Sequence, residues 1–317
     1  MAKTVKSPAT TTLTRRKCGA MVNYYQLLEN MPGYRQVLGS LETATRSRTL
    51  AKTAGEQEVP LTVPVVVHIL YRTPAEKISM AQIISQIDVL NRDYSATNPD
   101  IANTPAVWKN TVGNPRITFS LAKLSPTGAK SKGVVFKKTT RTVFGQGDDS
   151  VKRAATGGSN AWPSDRYLNI WVCTLGDDLL GYAQFPGGPP ETDGVVVLNT
   201  AFGTTGTAAA PFNLGRTTTH EIGHWLNLRH IWGDTEDCTG TDHIDDTPNQ
   251  QFPNRSAPVF PKPSCSNDPN GDMFMNYMDY VDDVAMFMFT KGQVTRMHVA
   301  VDELRPGFRE HGEKLTS

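Results

Sequence analysis

The eleven-residue run His220-Glu-Ile-Gly-His-Trp-Leu-Asn-Leu-Arg-His constrains this chain more than any other stretch. Residues four positions apart on an α-helix share one face, so His220 and His224 can direct two imidazole nitrogens at one metal ion. Glu221 lies beside the first of them, where a carboxylate can take a proton from a water held by the metal. His230 can join the same ion only if the chain turns sharply after His224.

The donor set indicates which kind of metal site this is. Three neutral nitrogens with one open position are typical of a catalytic zinc, whereas a structural zinc is usually closed by four protein ligands, mostly Cys. The chain has four cysteines but no Cys-x-x-Cys pair, which disfavours a thiol zinc site or a redox motif. We therefore predict Zn²⁺ bound by His220, His224 and His230, with Glu221 as the general base.

The run resembles the metzincin signature, His-Glu-x-x-His-x-x-Gly-x-x-His, with Asn227 in place of Gly. That position ends the helix in a left-handed conformation, which Asn tolerates best after Gly. Residues 276–283, Asn-Tyr-Met-Asp-Tyr-Val-Asp-Asp, resemble the metzincin Met-turn. The resemblance implies that Met278 forms a soft apolar floor under the imidazoles. It also implies that Tyr280 donates to the developing oxyanion, although Tyr280 could instead be a core tyrosine.

Flanking segments are similar to those of the pappalysin family, on its ulilysin-like side: Asn213-Leu-Gly-Arg-Thr-Thr-Thr, Ile231-Trp-Gly-Asp, Asp246-Thr-Pro-Asn-Gln and Phe289-Thr-Lys-Gly-Gln. The resemblance covers roughly residues 60–317 and implies a secreted zinc endopeptidase. We expect an α/β (α+β) metzincin-type domain over 58–317, with an upper subdomain (58–230) and a lower one (231–317). The upper subdomain should hold a twisted mixed sheet, a backing helix and the zinc-site helix. The lower one should be irregular, with the Met-turn and a terminal helix.

Hydrophobic periodicity supports this order of elements. We expect strands near residues 61–71, 117–121, 168–173 and 193–198, and helices near 20–40 (split at Pro32 and Gly33), 78–94 and 291–304. Thr290 and Gln293 fit a capping box at the start of the last helix. His68 lies inside the first strand and is predicted to be a core histidine rather than a metal ligand.

The metzincin resemblance also implies where substrate binds. The segment around Gly181, Tyr182 and Ala183 suits an edge strand, to which a peptide could add antiparallel through main-chain hydrogen bonds. The alternative is an ordinary edge strand without ligand. Asp282 and Asp283 follow the Met-turn, near the metzincin pocket for the residue after the scissile bond, and an acidic pocket there would favour Arg or Lys.

Residues 1–57 are predicted to form a pro-segment. Residues 1–20 read as a mobile tail that ends in one possible anchor, Arg15-Arg-Lys-Cys-Gly, and Arg46, Arg48 and Lys52 are expected to be protease-accessible. The basic stretch 46–52 is also a candidate site for self-cleavage. The sequence Arg16-Lys-Cys-Gly resembles the latency motif of zymogens in this group, in which the Cys18 thiolate would occupy the fourth zinc position. The alternatives are a free thiol and a disulfide with Cys173, which is otherwise expected to be a small buried hydrophobe.

The stretch after His230 is polar and irregular. Cys238 and Cys265 flank it and are expected to be paired, which also matches the family pattern and would contribute about 3–4 kcal/mol in the chain-entropy model. Relatives in the family bind calcium near here. Oxygen ligands for Ca²⁺ could come from the carbonyls near Thr247 and from the acidic residues Asp234, Asp237, Asp245 and Asp246. A solvated acidic loop is the alternative.

Charge and hydropathy bound the partners. With 32 basic and 31 acidic residues the net charge is +1, so no strong field favours nucleic acid or membrane, and no apolar run approaches the length of a membrane span. The first residues lack the apolar core of a signal peptide, so either a signal has been removed or export follows another route. We expect a monomer that acts on protein or peptide substrates. The alternatives are a non-catalytic zinc-containing interaction module, against which Glu221 argues, and a zinc hydrolase with a non-peptide substrate.

Overall fold

The computed structural model describes residues 13–53, 55–267 and 269–317. The helices are α1 (Ala20–Asn30), α2 (Tyr34–Ala51), α3 (Met80–Asp93), α4 (Arg216–Trp225), α5 (Lys291–Leu304) and α6 (Gly307–Thr316). The strands are β1 (Leu61–Tyr71), β2 (Val112–Gly113), β3 (Ile117–Leu121), β4 (Val134–Lys138), β5 (Leu168–Cys173), β6 (Gly181–Ala183), β7 (Val195–Leu198) and β8 (Phe289–Thr290).

The main sheet has the strand order β3-β1-β5-β7-β6, and β4 also pairs with β1. The first half of β1 lies parallel to β3 and its second half lies parallel to β4, so both strands share one edge. β5 and β7 are parallel to each other, and β6 runs antiparallel to β7 at the opposite edge. The predicted mixed sheet is confirmed. Strands at the centre of parallel sheets are buried on both faces, which explains why β1 reads as an almost continuous β-branched run.

Alternate residues of β1 enter different cores. Val63, Val65, Val67 and Ile69 belong to the main core, which α3 and α4 cover, whereas Leu70 joins a second cluster around Trp171. α4 packs against β6, β7 and α3, and α6 packs on β1. This packing places the start of the His220–His230 run beside the β6 edge of the sheet.

Most of the predicted elements are present. α5 begins at the predicted capping box, in which Thr290 and Gln293 bond each other's backbone, and Gly33 separates α1 from α2 with a left-handed φ of 82°. The predicted end of the N-terminal helical region near residue 40 is wrong. Helix α2 continues to Ala51, because Leu38, Leu41 and Thr45 extend one buried face of the helix. Arg46 and Arg48 therefore lie within a helix and are not open protease sites.

Short elements escaped prediction. β2, β4 and β8 have at most five residues each, too few for alternation to stand out, and α6 follows α5 after a short break at Pro306. None of the helices within the described ranges is both long and apolar enough to cross a lipid bilayer.

The predicted core histidine is satisfied by protein groups. His68 is fully buried, with Nδ1 2.9 Å from Ser159 Oγ and Nε2 3.1 Å from Asn169 Oδ1. Burial lowers the pKa of His68 to about 4, so the ring is neutral near pH 7. Cys173 is also buried and unpaired, so the alternative disulfide with Cys18 is not formed.

Residues 226–288 form the irregular lower region. Cys238 and Cys265 are joined in a disulfide with their Cα atoms 5.4 Å apart, as predicted. The buried Asp279 carboxylate connects parts of this region that have no regular secondary structure. It accepts hydrogen bonds from Gln250 Nε2, Asn254 N and Asn254 Nδ2. This network holds the chain just before Tyr280.

Candidate active site

The end of α4 brings the third histidine back to the first two. Asn227 has a left-handed φ of 75°, as its place in the signature predicts. Leu228 N donates to Gly223 O at 2.9 Å and Asn227 N to His224 O at 2.9 Å, which is the hydrogen-bond pattern of a Schellman cap. The turn reverses the chain, and His230 then faces the helix.

The three histidines converge on one point. His224 Nε2 lies 3.2 Å from His220 Nε2 and 3.1 Å from His230 Nε2. Each Nδ1 faces an acceptor: His220 reaches Tyr277 O at 2.7 Å, His224 reaches Leu228 O at 2.8 Å, and His230 reaches Asp234 Oδ1 at 2.6 Å. Because these oxygens can only accept, each Nδ1 carries the proton and each Nε2 presents a lone pair.

This arrangement fits a zinc ion. Three lone pairs so close together repel one another unless a cation lies between them. Nitrogens bound tetrahedrally at about 2.0–2.1 Å from zinc would be roughly 3.4 Å apart, close to the spacing observed. Burial and the neighbouring rings hold the pKa values of His220 and His224 well below the usual range, which keeps both rings neutral and able to ligate.

Met278 lies directly beneath the helix. A Cβ built on Gly223 would come 2.4 Å from the Met278 sulfur, so the helix must carry glycine at this position for the Met-turn to approach. Sequence reasoning missed this role of Gly223, because the signature specifies no residue type between Glu221 and His224. The Tyr280 ring packs edge-on against His230 at 4.8 Å and against Trp232 at 4.7 Å between ring centroids.

The structure places Cys18 at the histidine cluster. The Cys18 sulfur and the three histidine nitrogens all lie within 4.8 Å of one another. The thiol also contacts Glu221 Oε2 at 3.3 Å, and the Cys18 N–H donates to the Tyr280 hydroxyl at 3.3 Å. Burial raises the pKa of Glu221 to about 8, and burial with the adjacent Glu221 raises the pKa of Cys18 well above its usual value. A cation between the histidines would favour the anionic form of both groups.

The residues around Cys18 cover the sheet edge. Leu180 N donates to Lys17 O at 3.0 Å and Gly19 N donates to Gly181 O at 2.9 Å, so the segment adds to β6 as a parallel strand. Gly181 is required here, because a Cβ would meet Glu221 Cγ and Val196 O at 2.8 Å. Residues 17–19 are therefore held at the sheet edge, within the stretch for which the sequence allows one anchor of the mobile tail. Residues 1–12 lie outside the described ranges.

The other two residues of β6 are buried. Tyr182 belongs to the second core cluster, and Ala183 belongs to the main core. Of the three β6 residues predicted to bind substrate, Tyr182 and Ala183 can therefore offer only backbone atoms to the cleft, which is the space bounded by β6, α4 and residues 280–283.

A buried ion pair lies beside residues 280–283, where the sequence predicts an acidic pocket. Arg16 Nη2 is 2.6 Å from Asp283 Oδ1, and the two side chains are 1% and 0% exposed. The same guanidinium donates to Thr217 Oγ1 at 3.0 Å and to Val281 O at 3.1 Å. The neighbouring Asp282 is only partly buried. Sequence reasoning singled out Asp283 but missed Arg16, which is 267 residues away in the chain.

Three of the four acidic residues considered for calcium accept hydrogen bonds from protein groups. Asp234 accepts from His230, Asp237 accepts from Thr239, and Asp246 accepts from Gly292 N. Asp245 lies on the same irregular segment. Among residues 13–53, 55–267 and 269–317, only one group of three or more His, Cys, Asp or Glu side chains is close enough to share a metal ion. That group is Cys18 with the three histidines.

Comparison with known proteins agrees with this geometry. The family model described as pregnancy-associated plasma protein-A, of peptidase family M43, matches residues 152–302. An extracellular metalloprotease of Verticillium alfalfae is 32% identical over 262 residues, covering 78% of this chain and 80% of the relative. Extracellular metalloprotease 1 of Coccidioides posadasii is 30% identical over 267 residues, covering 79% and 80%.

Two solved structures from Tannerella forsythia are also similar. A promirolysin mutant has a TM-score of 0.86 and 46% identity, covering 95% of this chain and 100% of that chain. Mature mirolysin in complex with a cleaved peptide has a TM-score of 0.81 and 50% identity, covering 82% and 99%.

The mixed sheet, the His-Glu-x-x-His helix and the Met-turn define a zinc metalloendopeptidase. Within that class the chain belongs to the pappalysin family, which is named after pregnancy-associated plasma protein-A. The comparisons favour a protease over the two alternatives, a non-catalytic interaction module and a hydrolase of non-peptide substrates.

Proposed function

We propose that this protease is a secreted endopeptidase made as a latent zymogen, with residues 1–57 as the pro-segment and 58–317 as the catalytic domain. The observation that carries the proposal is the position of the Cys18 sulfur, which lies within 4.8 Å of the three histidine nitrogens and 3.3 Å from Glu221 Oε2. A group in that position fills the place where a fourth ligand and a reacting water would lie. One structural neighbour is described as a pro-form and another as a mature form, which supports the same division here.

His220, His224 and His230 would hold the zinc. When bound there, zinc would supply Lewis acidity, polarising the scissile carbonyl and bringing the pKa of a water molecule towards about 7. Asp234 keeps His230 in the tautomer that this requires, and the carbonyls of Tyr277 and Leu228 do the same for the other two rings.

Glu221 moves the proton. Its Oε2 now faces the Cys18 thiol, so departure of the thiol leaves this carboxylate facing the same space. There it would accept a proton from the attacking water and pass it to the nitrogen of the leaving amine. The Tyr280 hydroxyl, now hydrogen-bonded to the Cys18 backbone, faces the same space and would donate to the developing oxyanion.

Substrate would replace the N-terminal segment along β6. A productive peptide would add antiparallel to β6 and place an Arg or Lys after the scissile bond in the Asp283 pocket, where Arg16 now lies. Because residues 17–19 run parallel to β6, their peptide groups are presented in the opposite direction to those of such a substrate. The segment can therefore fill the site without offering a bond for cleavage.

Processing would occur after α2. The α2 helix is tied to α5 by the ion pairs of Glu42 with Arg296 and of Arg48 with Asp302, so the pro-segment has a second anchor outside the cleft. Lys52 is the first residue beyond α2, and of the three basic residues predicted as sites it lies nearest the domain boundary. Secretion is supported by the extracellular names of the relatives and by a disulfide, which persists in oxidising compartments.

The test is casein hydrolysis by the zinc-loaded full chain, before and after brief trypsin treatment, with and without 1,10-phenanthroline. We expect chelator-sensitive cleavage only after trimming. The Cys18→Ala chain should cleave casein untrimmed, whereas the Cys173→Ala control should remain latent. A Cys18→Ala protein as inactive as the untrimmed chain would refute latency by Cys18. Absence of chelator-sensitive cleavage in every zinc-bound form would refute the assigned peptidase site.

Calcium remains a separate proposal for the acidic segment at Asp245 and Asp246. One Asp246 oxygen is buried without a hydrogen-bond partner, which is the observation in its favour. Equilibrium dialysis of the zinc-loaded protein against calcium should detect binding that Asp246→Asn weakens. Unchanged binding in that variant would place any calcium elsewhere.

A further inference from the structure

An aromatic side chain occupies a built site on the far side of the histidines from Asp283. Tyr24 of α1 is 6% exposed and packs on Phe185 with their ring centroids 5.0 Å apart. The Phe185 ring in turn lies 5.3 Å from the ring of His224. The site is therefore next to a zinc ligand and has one apolar wall that belongs to the catalytic domain.

A cation forms the second wall. The Arg229 guanidinium carbon lies 5.1 Å from the centre of the Tyr24 ring, and Arg229 Nη2 donates to the Tyr24 hydroxyl at 2.7 Å. Arg229 immediately precedes His230, so the zinc-binding turn fixes its backbone. Departure of α1 would leave this guanidinium and the Phe185 ring facing the space that Tyr24 fills.

The order of contacts shows on which side of a substrate this site lies. Along the N-terminal segment, Arg16 occupies the Asp283 pocket, Cys18 occupies the histidine cluster, and Tyr24 occupies the aromatic site. Phe185 follows β6 in the direction in which that segment runs. A peptide lying antiparallel to β6 would therefore bring residues that precede its scissile bond to Phe185 and Arg229.

We propose that Phe185 and Arg229 form a subsite of the processed enzyme for an aromatic side chain on the N-terminal side of the scissile bond. The site takes Tyr in preference to Phe, because the guanidinium both faces the ring and donates to the hydroxyl. This inference rests on the proposed peptide-cleaving function and adds a second specificity determinant to the Asp283 pocket. Ring packing and a partly desolvated cation–π contact together correspond to about a tenfold gain in kcat/KM over Ala.

The experiment uses the full chain processed by trypsin and quenched-fluorescent peptides with Arg fixed after the scissile bond. Each preceding position is set in turn to Tyr, Phe or Ala. At one position we expect kcat/KM in the order Tyr, Phe, Ala, with Tyr about tenfold above Ala. In Arg229→Gln the Tyr advantage over Phe should disappear, and Arg229→Lys should restore only part of it.

Ratios between peptides do not depend on the amount of folded enzyme, so a poorly folding variant still gives a result. Arg72→Gln is the matched control, since Arg72 pairs locally with Glu76 near the end of β1 and should keep the wild-type ratios. Equal cleavage of Tyr and Ala peptides at every position, or an unchanged Tyr/Phe ratio in Arg229→Gln, would refute the subsite alone. Failure of zinc-loaded processed wild type to cleave any peptide would refute the proposed function and the subsite with it.

Discussion

The upper and lower regions of the catalytic domain are held together in different ways. The upper region is a sheet of apolar strands whose residues are buried on both faces, such as Val65 and Val66 of β1. The lower region, residues 226–288, has few regular elements and depends on the Cys238–Cys265 disulfide and on the hydrogen bonds to Asp279. In the proposed function both regions contribute to the active site: the sheet offers the β6 edge to a substrate, and the irregular region adds loop surfaces beside it.

The active site is divided along the same line. Helix α4 of the upper region carries His220, Glu221 and His224, and the lower region adds His230, Met278, Tyr280 and Asp283. The N-terminal segment contacts both, because residues 17–19 pair with β6 and Arg16 reaches Asp283. In the proposed function, the general base belongs to the upper region, whereas the oxyanion donor and the carboxylate that pairs with Arg16 belong to the lower one. Four changes test this division.

Glu221→Gln in the upper region should have the largest effect. The amide keeps the shape of the side chain but cannot accept the proton, so kcat/KM of the processed enzyme should fall by about 10²–10⁴-fold. Zinc content, measured by atomic emission, should stay equal to that of the wild type. Near-normal activity in this variant would show that the proton acceptor lies elsewhere.

Asp283→Asn in the lower region should change selectivity rather than chemistry. Loss of the buried charge leaves a bound guanidinium without its partner, so the preference for Arg over Leu after the scissile bond should fall about 10²–10³-fold. In the full chain the same loss should weaken the hold on Arg16 and give cleavage before trimming. Asp282→Asn is the matched control, and an equal loss of selectivity in both variants would contradict the assignment of the pocket to Asp283.

Replacement of both Cys238 and Cys265 by Ser should destabilise the lower region. The chain-entropy model gives a loss of about 3–4 kcal/mol for a loop of this size. Hydrogen exchange should increase mainly within residues 226–288, with the strands of the main sheet protected. Equal loss of protection in β1 and β5 would mean that the two regions unfold as one unit.

Substitution of Asn227, at the junction of the two regions, should have the smallest effect, which is on the free energy of unfolding. Asn227→Ala places a Cβ without a compensating polar group in the left-handed conformation, which costs about 1–2 kcal/mol. Asn227→Gly should be close to neutral, because Gly adopts this conformation without steric penalty. Urea denaturation of the three proteins compares them directly, and equal stability of the Ala and Gly variants would show that the turn is not strained.

The same contrast explains what could be predicted. β1, α3 and α5 were recognisable because burial imposes a period on a strand or helix, and because Thr290 and Gln293 mark a helix start. The three histidines were recognisable because the helical repeat and a turn at Asn227 dictate their spacing. The extension of α2 was missed because its exposed positions are polar, and α6 was missed because it follows another helix so closely.

The sequence by itself identified the three clustered histidines, the proposed general base and the class of fold, because each depends on residues close in the chain or on local periodicity. Only the tertiary structure decided that Arg16 enters the Asp283 pocket, that Gly223 makes room for Met278, and that Tyr24 lies between Phe185 and Arg229. These partners are 55 to 267 residues apart in the chain. No local pattern encodes such contacts, since they form only when the sheet and the irregular region pack around the same cleft.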